Sequence, residues 1–422
     1  MFLSKYAAQK CVENLDTDLF YSDSHRKIFE VMRDLVEKQV PIDFTTVSAE
    51  LDKRKWLKQV GDVEYLSELT NIVDNYMQIV EENAILRRLI EESTEIANDC
   101  FGATGDISEL LDNAEKKILN VVKTRKGTEF RSLTDVLNKT QLDLEKLSKN
   151  KGEITGIATG FYDLDRITSG FHENELIIIA ARPAMGKTAF ALNLAMNMAD
   201  NTDKSVAIFN LEMGAEQLAM RMIASAGQID SRKLRTGKLE HQDWKRVNEA
   251  MSRLSSKKIF IDDTPGLSIS DIRSKCRRLS ASESGLSAVI IDYLQLISGS
   301  SKYAGQRQQE VSEISRSLKT MAMELNIPVI ALAQLSRSVE SRDDKRPILS
   351  DLRESGSIEQ DADMVAFLYR DDYYHKENAI DENTSRSELL IRKNRSGPTA
   401  TIDLIFKLQT STFLNFINRE ES

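Results

Sequence analysis

The sequence predicts an α/β domain built on a central, mostly parallel sheet and preceded by an all-α helical domain. Three observations carry this. Up to about residue 123, apolar residues recur at three- and four-residue spacing, glycine is scarce and Pro41 is the only proline. After Gly160 the pattern changes to short aliphatic runs separated by helical stretches. Of the 422 residues, 41% are apolar and 29% charged, with only 18 Gly and 6 Pro, which suits a helix-rich globular chain of two or three domains and excludes collagen-like or low-complexity material.

In residues 1–123, Ile28, Val31, Met32 and Leu35 form one helical stripe behind Ser22 or Asp23 as N-cap. A longer stripe through Tyr76, Ile79, Val80, Ile85, Leu86 and Ile90 predicts a long helical hairpin. From 124 to 159 apolar content drops and charge rises, so this stretch reads as a linker with one helix, opened by the capping-box-like pair Ser132 and Asp135. Leu133, Val136, Leu137, Leu144 and Leu147 give that helix a narrow apolar face. It docks on a neighbouring subunit or packs on its own domain; the sequence leaves both open.

Residues 160–422 form the α/β domain. The aliphatic runs read as parallel strands are Leu176 to Ala180, Val206 to Phe209, Ile259 to Ile261, Ala288 to Ile291, Val329 to Leu332, Met364 to Leu368 and Leu389 to Ile391. Ile402, Leu404 and Phe406 instead alternate with polar residues, and a turn at Gln409 to Ser411 leads into Phe413 to Phe416, predicting an antiparallel hairpin at the sheet edge.

Composition narrows the function classes. The net charge of -9 excludes a global positive field for nucleic acid, so any DNA contact is a local basic lining, within a screening length of about 8 Å. Cys11, Cys100 and Cys276 are odd in number and far apart, which fits a reducing compartment rather than a disulfide framework or zinc cluster. Lys5 and Lys10 interrupt the start and no apolar run approaches a bilayer span, so the expectation is a cytoplasmic protein with no membrane partner.

The chemistry concentrates after the first strand. Ala181-Arg182-Pro183-Ala184-Met185-Gly186-Lys187-Thr188 joins a strand to an apolar-periodic helix, the context a phosphate-binding loop requires. Lys187 would reach the β/γ-phosphates and the Thr188 hydroxyl would hold magnesium. Ala181 stands where the general pattern has glycine, and Gly-Lys-Thr alone fits a plain turn equally well. Other strand ends add to it. Ala288 to Ile291 ends in Asp292, where a magnesium-supporting carboxylate would sit. Val206 to Phe209 leads to Glu212, a carboxylate able to deprotonate an attacking water. Val329 to Leu332 leads to Gln334, a neutral group able to sense the γ-phosphate. Lys393-Asn394-Arg395-Ser396-Gly397-Pro398 follows a further strand and reads either as an exposed turn or as cations supplied to a neighbouring subunit.

Together with Leu211-Glu212-Met213, Ile290 to Gln295, Asp351 to Asp363 and Lys393 to Pro398, this order of motifs resembles the replicative DNA helicases of the bacterial DnaB type, bacterial or phage-encoded, over nearly the whole chain. The resemblance implies a RecA-like P-loop NTPase fold and a homohexameric ring that threads single-stranded DNA and moves 5′ to 3′ on ATP and Mg2+, with primase and a helicase loader as partners. Alanine at position 181 is familiar there. Residue by residue it implies phosphate and metal binding by Lys187 and Thr188, a catalytic base at Glu212, metal support by Asp292 and γ-phosphate reading by Gln334. Lys393 and Arg395 would reach the adjacent subunit's site, and Arg353, Glu354 and Gly356 would track DNA in the channel. Arg221 matches a motor arginine without an assigned role. The linker helix would dock on the next motor. One departure is that the family carries additional residues, including a helix, before the segment matching Ala7 to Phe20, which bears on the N-terminal collar and the primase-binding mode.

The rival readings are another RecA-like ring ATPase, a non-unwinding remodelling partner and a small-molecule kinase. The N-terminal helical region and the run Asp351 to Asp363 speak against the first, the intact Lys187, Thr188, Glu212 and Asp292 against the second, and the lack of an acceptor pocket or lid against the third.

Overall fold

The computed structural model describes residues 12, 15–38, 40–69, 76–102, short helical stretches between 110 and 145, 154–299, 305–352, 356–375 and 381–416. The chain divides into two compact units, Met1–Val136 and Leu137–Ser422.

The first unit is helical: α1 (Asp23–Glu37), α2 (Phe44–Lys53), α3 (Asp62–Leu69) and α4 (Tyr76–Phe101). The stripe Ile28, Val31, Met32 and Leu35 is buried on α1 and packs with Val47, Leu51, Val60 and Leu66. Each such side chain contributes about 1.5–3 kcal/mol of burial. Asp43 starts α2 with a reciprocal capping box, accepting from the Thr46 N–H at 2.8 Å while the Thr46 hydroxyl accepts from the Asp43 N–H at 3.0 Å. On α4, Leu86 and Ile90 are exposed. The described residues of the returning arm of the expected hairpin, Leu110, Asn113, Ala114, Lys117, Ile118 and Val121, are helical, and Lys117 pairs with Glu95 and Asp99 of α4 at 2.9 Å. Ser132 and Asp135, the expected start of the linker helix, lie outside the described residues, whereas Leu133, Leu137 and Leu144 are helical and 72%, 57% and 59% exposed.

The second unit is organised by one nine-stranded sheet in the order β3-β2-β4-β5-β1-β6-β7-β8-β9. The strands are β1 (Leu176–Ala181), β2 (Ser205–Asn210), β3 (Ile259–Asp262), β4 (Leu286–Asp292), β5 (Val329–Gln334), β6 (Met364–Arg370), β7 (Thr384–Asn394), β8 (Ala400–Lys407) and β9 (Thr412–Asn415). Strands β1 to β6 are mutually parallel and β7 to β9 antiparallel. Alternation along β1 sends Ile177, Ile179 and Ala181 to one face and Leu176, Ile178 and Ala180 to the other. The first face is covered by α5 (Tyr162–Thr168), α6 (Lys187–Asp200) and α7 (Ala215–Gly227). The second is covered by α10 (Ile269–Ser280), α11 (Arg307–Leu325) and α12 (Gly356–Asp361); α8 (Ser231–Thr236) and α9 (His241–Ser255) follow α7 in the chain.

One strand corrects the sequence reading. Leu389 to Ile391, grouped above with the parallel runs, is the centre of the eleven-residue β7, which pairs antiparallel with β6. Ser385 and Ser387 are buried there, so polar residues hid the strand's true length from a hydropathy pattern. Among the described residues, its connection from β6 has only a short turn at Asp371–Tyr373 and no helix to carry a parallel crossover. The hairpin of β8 and β9 closes the edge as expected. No helix among the described residues is long and apolar enough to cross a membrane.

Candidate active site

Parallel strands deliver their C-terminal ends to one edge of the sheet, and ligands of such sheets bind outside that edge. Strand β1 reaches it at Ala181, which is still laddered on both sides, to Gln334 of β5 and Leu368 of β6. An extended residue needs no glycine, which is why alanine serves at this position. Left-handed backbone comes later, at Ala184 (φ 66°) and Gly186 (φ 94°). A side chain at Gly186 would bring its Cβ to 3.0 Å from Phe413 Cζ, against a ring stacked on Phe406 at 4.3 Å and edge-on to Phe190 at 5.3 Å. Helix α6 begins at Lys187, so its free N–H groups and positive end face the loop.

Lys187 is 14% exposed, with Nζ 3.3 Å from Asp292 Oδ1 and 4.2 Å from the centre of the Tyr293 ring. Burial pushes its ammonium below the ordinary lysine value, opposed by Asp292 and Glu212. The Thr188 hydroxyl donates to Asp292 Oδ2 at 2.5 Å. Asp292 itself, at the end of β4, is buried, and its Oδ1 takes no hydrogen bond.

Glu212 follows β2. The Asn210 side-chain oxygen accepts the N–H groups of Glu212 at 3.1 Å and Met213 at 2.7 Å, turning the chain over the edge, while the Leu211 N–H donates to the Asp292 carbonyl at 2.8 Å. Gln334 ends β5 and is exposed into the same space. The cavity there, about 780 Å³, is lined by Lys187, Thr188, Glu212, Gln334, Arg221 and Arg370 among others. A volume of several hundred Å³ suits a nucleotide-sized ligand.

The structure therefore brings together the loop 181–188, Glu212, Asp292 and Gln334. Arg182, expected among the nucleotide-binding positions, lines the cavity but turns its guanidinium aside. It donates to the Leu335 carbonyl at 2.8 Å and to Glu340 Oε1 at 2.9 and 2.7 Å. Pro183, Ala184 and Met185 complete the loop, with Met185 buried beneath it.

Lys393 and Arg395 lie elsewhere. Asn394 pairs with Met364 at the start of β6, four residues or about 13 Å along the strand from the pair of Leu368 with Ala181 where the phosphate loop begins, and at the opposite end of the strand from it. Lys393 caps the end of α12, donating to the carbonyls of Glu359 and of Ala362, the latter at 2.7 Å, and burial holds it below the ordinary lysine value. Arg395 donates to the Gln360 carbonyl and sits 3.4 Å from Asp363 Oδ1. Arg353 and Glu354 lie outside the described residues, and Gly356 opens α12.

Sequence reasoning missed Arg370. It ends β6 at the same sheet edge, 5% exposed, donating to the Ser385 hydroxyl at 2.8 Å, to Asp372 at 3.0 Å and to the Ala184 carbonyl of the loop at 3.3 Å. The signal that found Glu212 and Gln334, a polar residue closing an aliphatic run, was present here too.

The donor set fits magnesium. Thr188 and Asp292 offer hard oxygens and one of them is an unbonded buried carboxylate oxygen, while Mg2+ takes few protein ligands and draws the rest from phosphates and water. Among the described residues no group of three or more His, Cys, Asp or Glu forms a transition-metal cage.

Residues 156–415 match the DnaB-like helicase C terminal domain and residues 1–87 the DnaB-like helicase N terminal domain. The chain is 52% identical to the replicative DNA helicase DnaC of Bacillus subtilis (strain 168), over 99% of this chain and 93% of the relative. It is 51% identical to the replicative DNA helicase DnaB of Geobacillus stearothermophilus, over the same shares. Among solved structures, a DnaB-like replicative helicase described with its interactions with primase is similar at TM-score 0.67 and 36% identity, covering 98% of this chain and 100% of that one. A second solved structure, described as an ATPase domain, is similar at TM-score 0.63 and 43% identity, covering 68% of this chain and 100% of that domain.

Proposed function

The chain belongs to the DnaB-like replicative DNA helicase family, and from that premise we propose how its residues convert ATP hydrolysis into unwinding. It is an ATP-dependent DNA helicase with a RecA-like motor. The observation that carries the assignment of roles is the convergence of Lys187, Thr188, Asp292, Glu212 and Gln334 from the ends of four parallel strands.

When ATP enters, the β/γ-phosphates meet the N-terminus of α6, and Lys187 exchanges its contact with Asp292 for them. Thr188 and Asp292 are the residues that would hold Mg2+, which neutralises charge on the phosphates when bound. Glu212 accepts the proton of the water that attacks the γ-phosphorus as the bond to ADP breaks, and Gln334 contacts the γ-phosphate. Arg370 fixes the loop through Ala184.

Lys393 and Arg395 stand too far from this chain's own loop to serve it, which supports their delivery to the site of a neighbouring copy. A head-to-tail contact that places one copy's cations on the next copy's loop closes into a ring, read here as six copies. The exposed Leu133, Leu137 and Leu144 support docking of the linker helix on the next motor. On this reading residues 1–123 form the helical domain, 124–159 the linker and 160–422 the motor, with 353–356 tracking single-stranded DNA. Primase and a helicase loader complete the partners; a structural relative is described with its interactions with primase.

Forked duplexes test this. With ATP and magnesium, a fork with a 5′ single-stranded tail is expected to be unwound and one with only a 3′ tail is not. Equal unwinding of both forks would overturn the 5′ to 3′ polarity, and ATP hydrolysis with no unwinding of either would favour the remodelling-partner reading.

A further inference from the structure

Gln334 occupies an unusual place at the end of its strand. On one side β5 is laddered to β1 out to the pair Ala181 and Gln334. On the other side its ladder with β4 stops three residues earlier, at Ile291 and Ala331. The main chain of Gln334 therefore has no strand partner on the β4 side, and an exposed strand end without partners frays.

A side chain takes the missing strand's place. Gln295, in the short turn Leu294–Leu296 after β4, accepts the Gln334 N–H through Oε1 at 3.2 Å and donates from Nε2 to the Gln334 carbonyl at 3.3 Å. Its amide thus reproduces the paired donor and acceptor of a β-ladder, and the two groups of Gln334 fix which end of the amide faces which. Gln295 is anchored in turn, since its own carbonyl accepts from Arg307 at the start of α11. Beyond Gln334, the Leu335 N–H donates to the Ala181 carbonyl at 3.1 Å and the Leu335 carbonyl accepts from Arg182. The backbone carrying the γ-phosphate-facing amide is gripped from both sides, and Gln295 is the grip on the side where the sheet gives out.

We propose that Gln295 is a positioning residue for the nucleotide sensor: by substituting for an absent β4 residue it fixes the main chain of Gln334, so that only the Gln334 side chain moves when the γ-phosphate arrives or leaves. This rests on the reading of Gln334 as the group that contacts the γ-phosphate. Because the contact matters as charge develops in the transition state, loss of positioning lowers kcat more than it raises KM.

The test is a mutant cycle in the full-length protein, read as steady-state ATP hydrolysis with magnesium. Gln295→Met keeps the volume and removes both hydrogen bonds, and its kcat is expected to fall about fivefold to tenfold with KM within about twofold. Gln295→Glu keeps the acceptor for the Gln334 N–H and is expected to fall between wild type and Gln295→Met. Gln334→Ala is the control for the underlying reading, and the double variant Gln295→Met/Gln334→Ala is expected to be no slower than Gln334→Ala alone, because a side chain that is gone cannot be mispositioned. A merely structural Gln295 would instead give multiplying losses in the double variant, which overturns the proposal. Impaired Gln334→Ala beside a normal Gln295→Met would overturn the positioning role and leave the sensor standing. Near-normal turnover of Gln334→Ala would remove the sensor and the proposal with it.

Discussion

Glu212→Gln is expected to bind ATP with near-normal affinity and to hydrolyse it at least about 10²-fold more slowly. The carboxylate hangs from a turn that Asn210 fixes through two N–H groups, and an amide of the same size leaves that turn intact. What is lost is the acceptor for the proton of the attacking water. Replacing the carboxylate with an amide also removes a negative charge beside the incoming phosphates, so ATP affinity has no reason to fall steeply. Fluorescent-nucleotide binding alongside phosphate release separates the two quantities. Near-normal turnover would take the general base away from Glu212, and a collapse of binding with it would point to a structural defect.

Lys187→Ala is expected to fail at an earlier step. Its ammonium is the cation at the loop's phosphate position, and its removal also strips the buried Asp292 of an ionic partner. ATP binding weakens and hydrolysis falls by at least about 10²-fold, the scale of losing a positioned charge at a transferring phosphoryl group. The unpaired Asp292 carboxylate costs the apoprotein about 1–3 kcal/mol, read as a lowered melting temperature. Glu212→Gln should not show that loss. The contrast between a binding-competent, slow variant and a binding-impaired, destabilised one separates the two roles; the same profile from both would contradict it.

Much of this site is legible in the sequence, for a physical reason. A parallel strand buried on both faces reads as an unbroken aliphatic run, and the first polar residue after it must emerge at the C-terminal edge. Asp292 and Gln334 are found that way, and the six parallel strands with them; Glu212 follows two residues after Asn210 closes β2, and Lys187 is found from the Gly-Lys-Thr loop between β1 and α6. Lateral pairing is not written in such runs. The antiparallel β7 was misgrouped because Ser385 and Ser387 are buried by side-chain and sheet partners rather than by hydrophobicity. The direction of Arg182 was equally hidden, since a cation in a phosphate loop reads as a phosphate ligand until Glu340, far away in sequence, is seen beside it. Arg370 and the clasp of Gln295 on Gln334 depend on which strand ends lie side by side, which only the order of the sheet reveals.

The central claim is that each nucleotide site is shared, with the loop, Glu212 and Asp292 from one copy and Lys393 and Arg395 from the next. Subunit complementation tests it most directly. Lys187→Ala and Arg395→Ala proteins, each nearly inactive alone, are assembled together and ATP hydrolysis is measured. A shared site predicts that activity returns, because about one interface in four then joins an intact loop to an intact Arg395 under random assembly. Hydrolysis no greater than the average of the two separate variants, in rings shown to contain both, would contradict it.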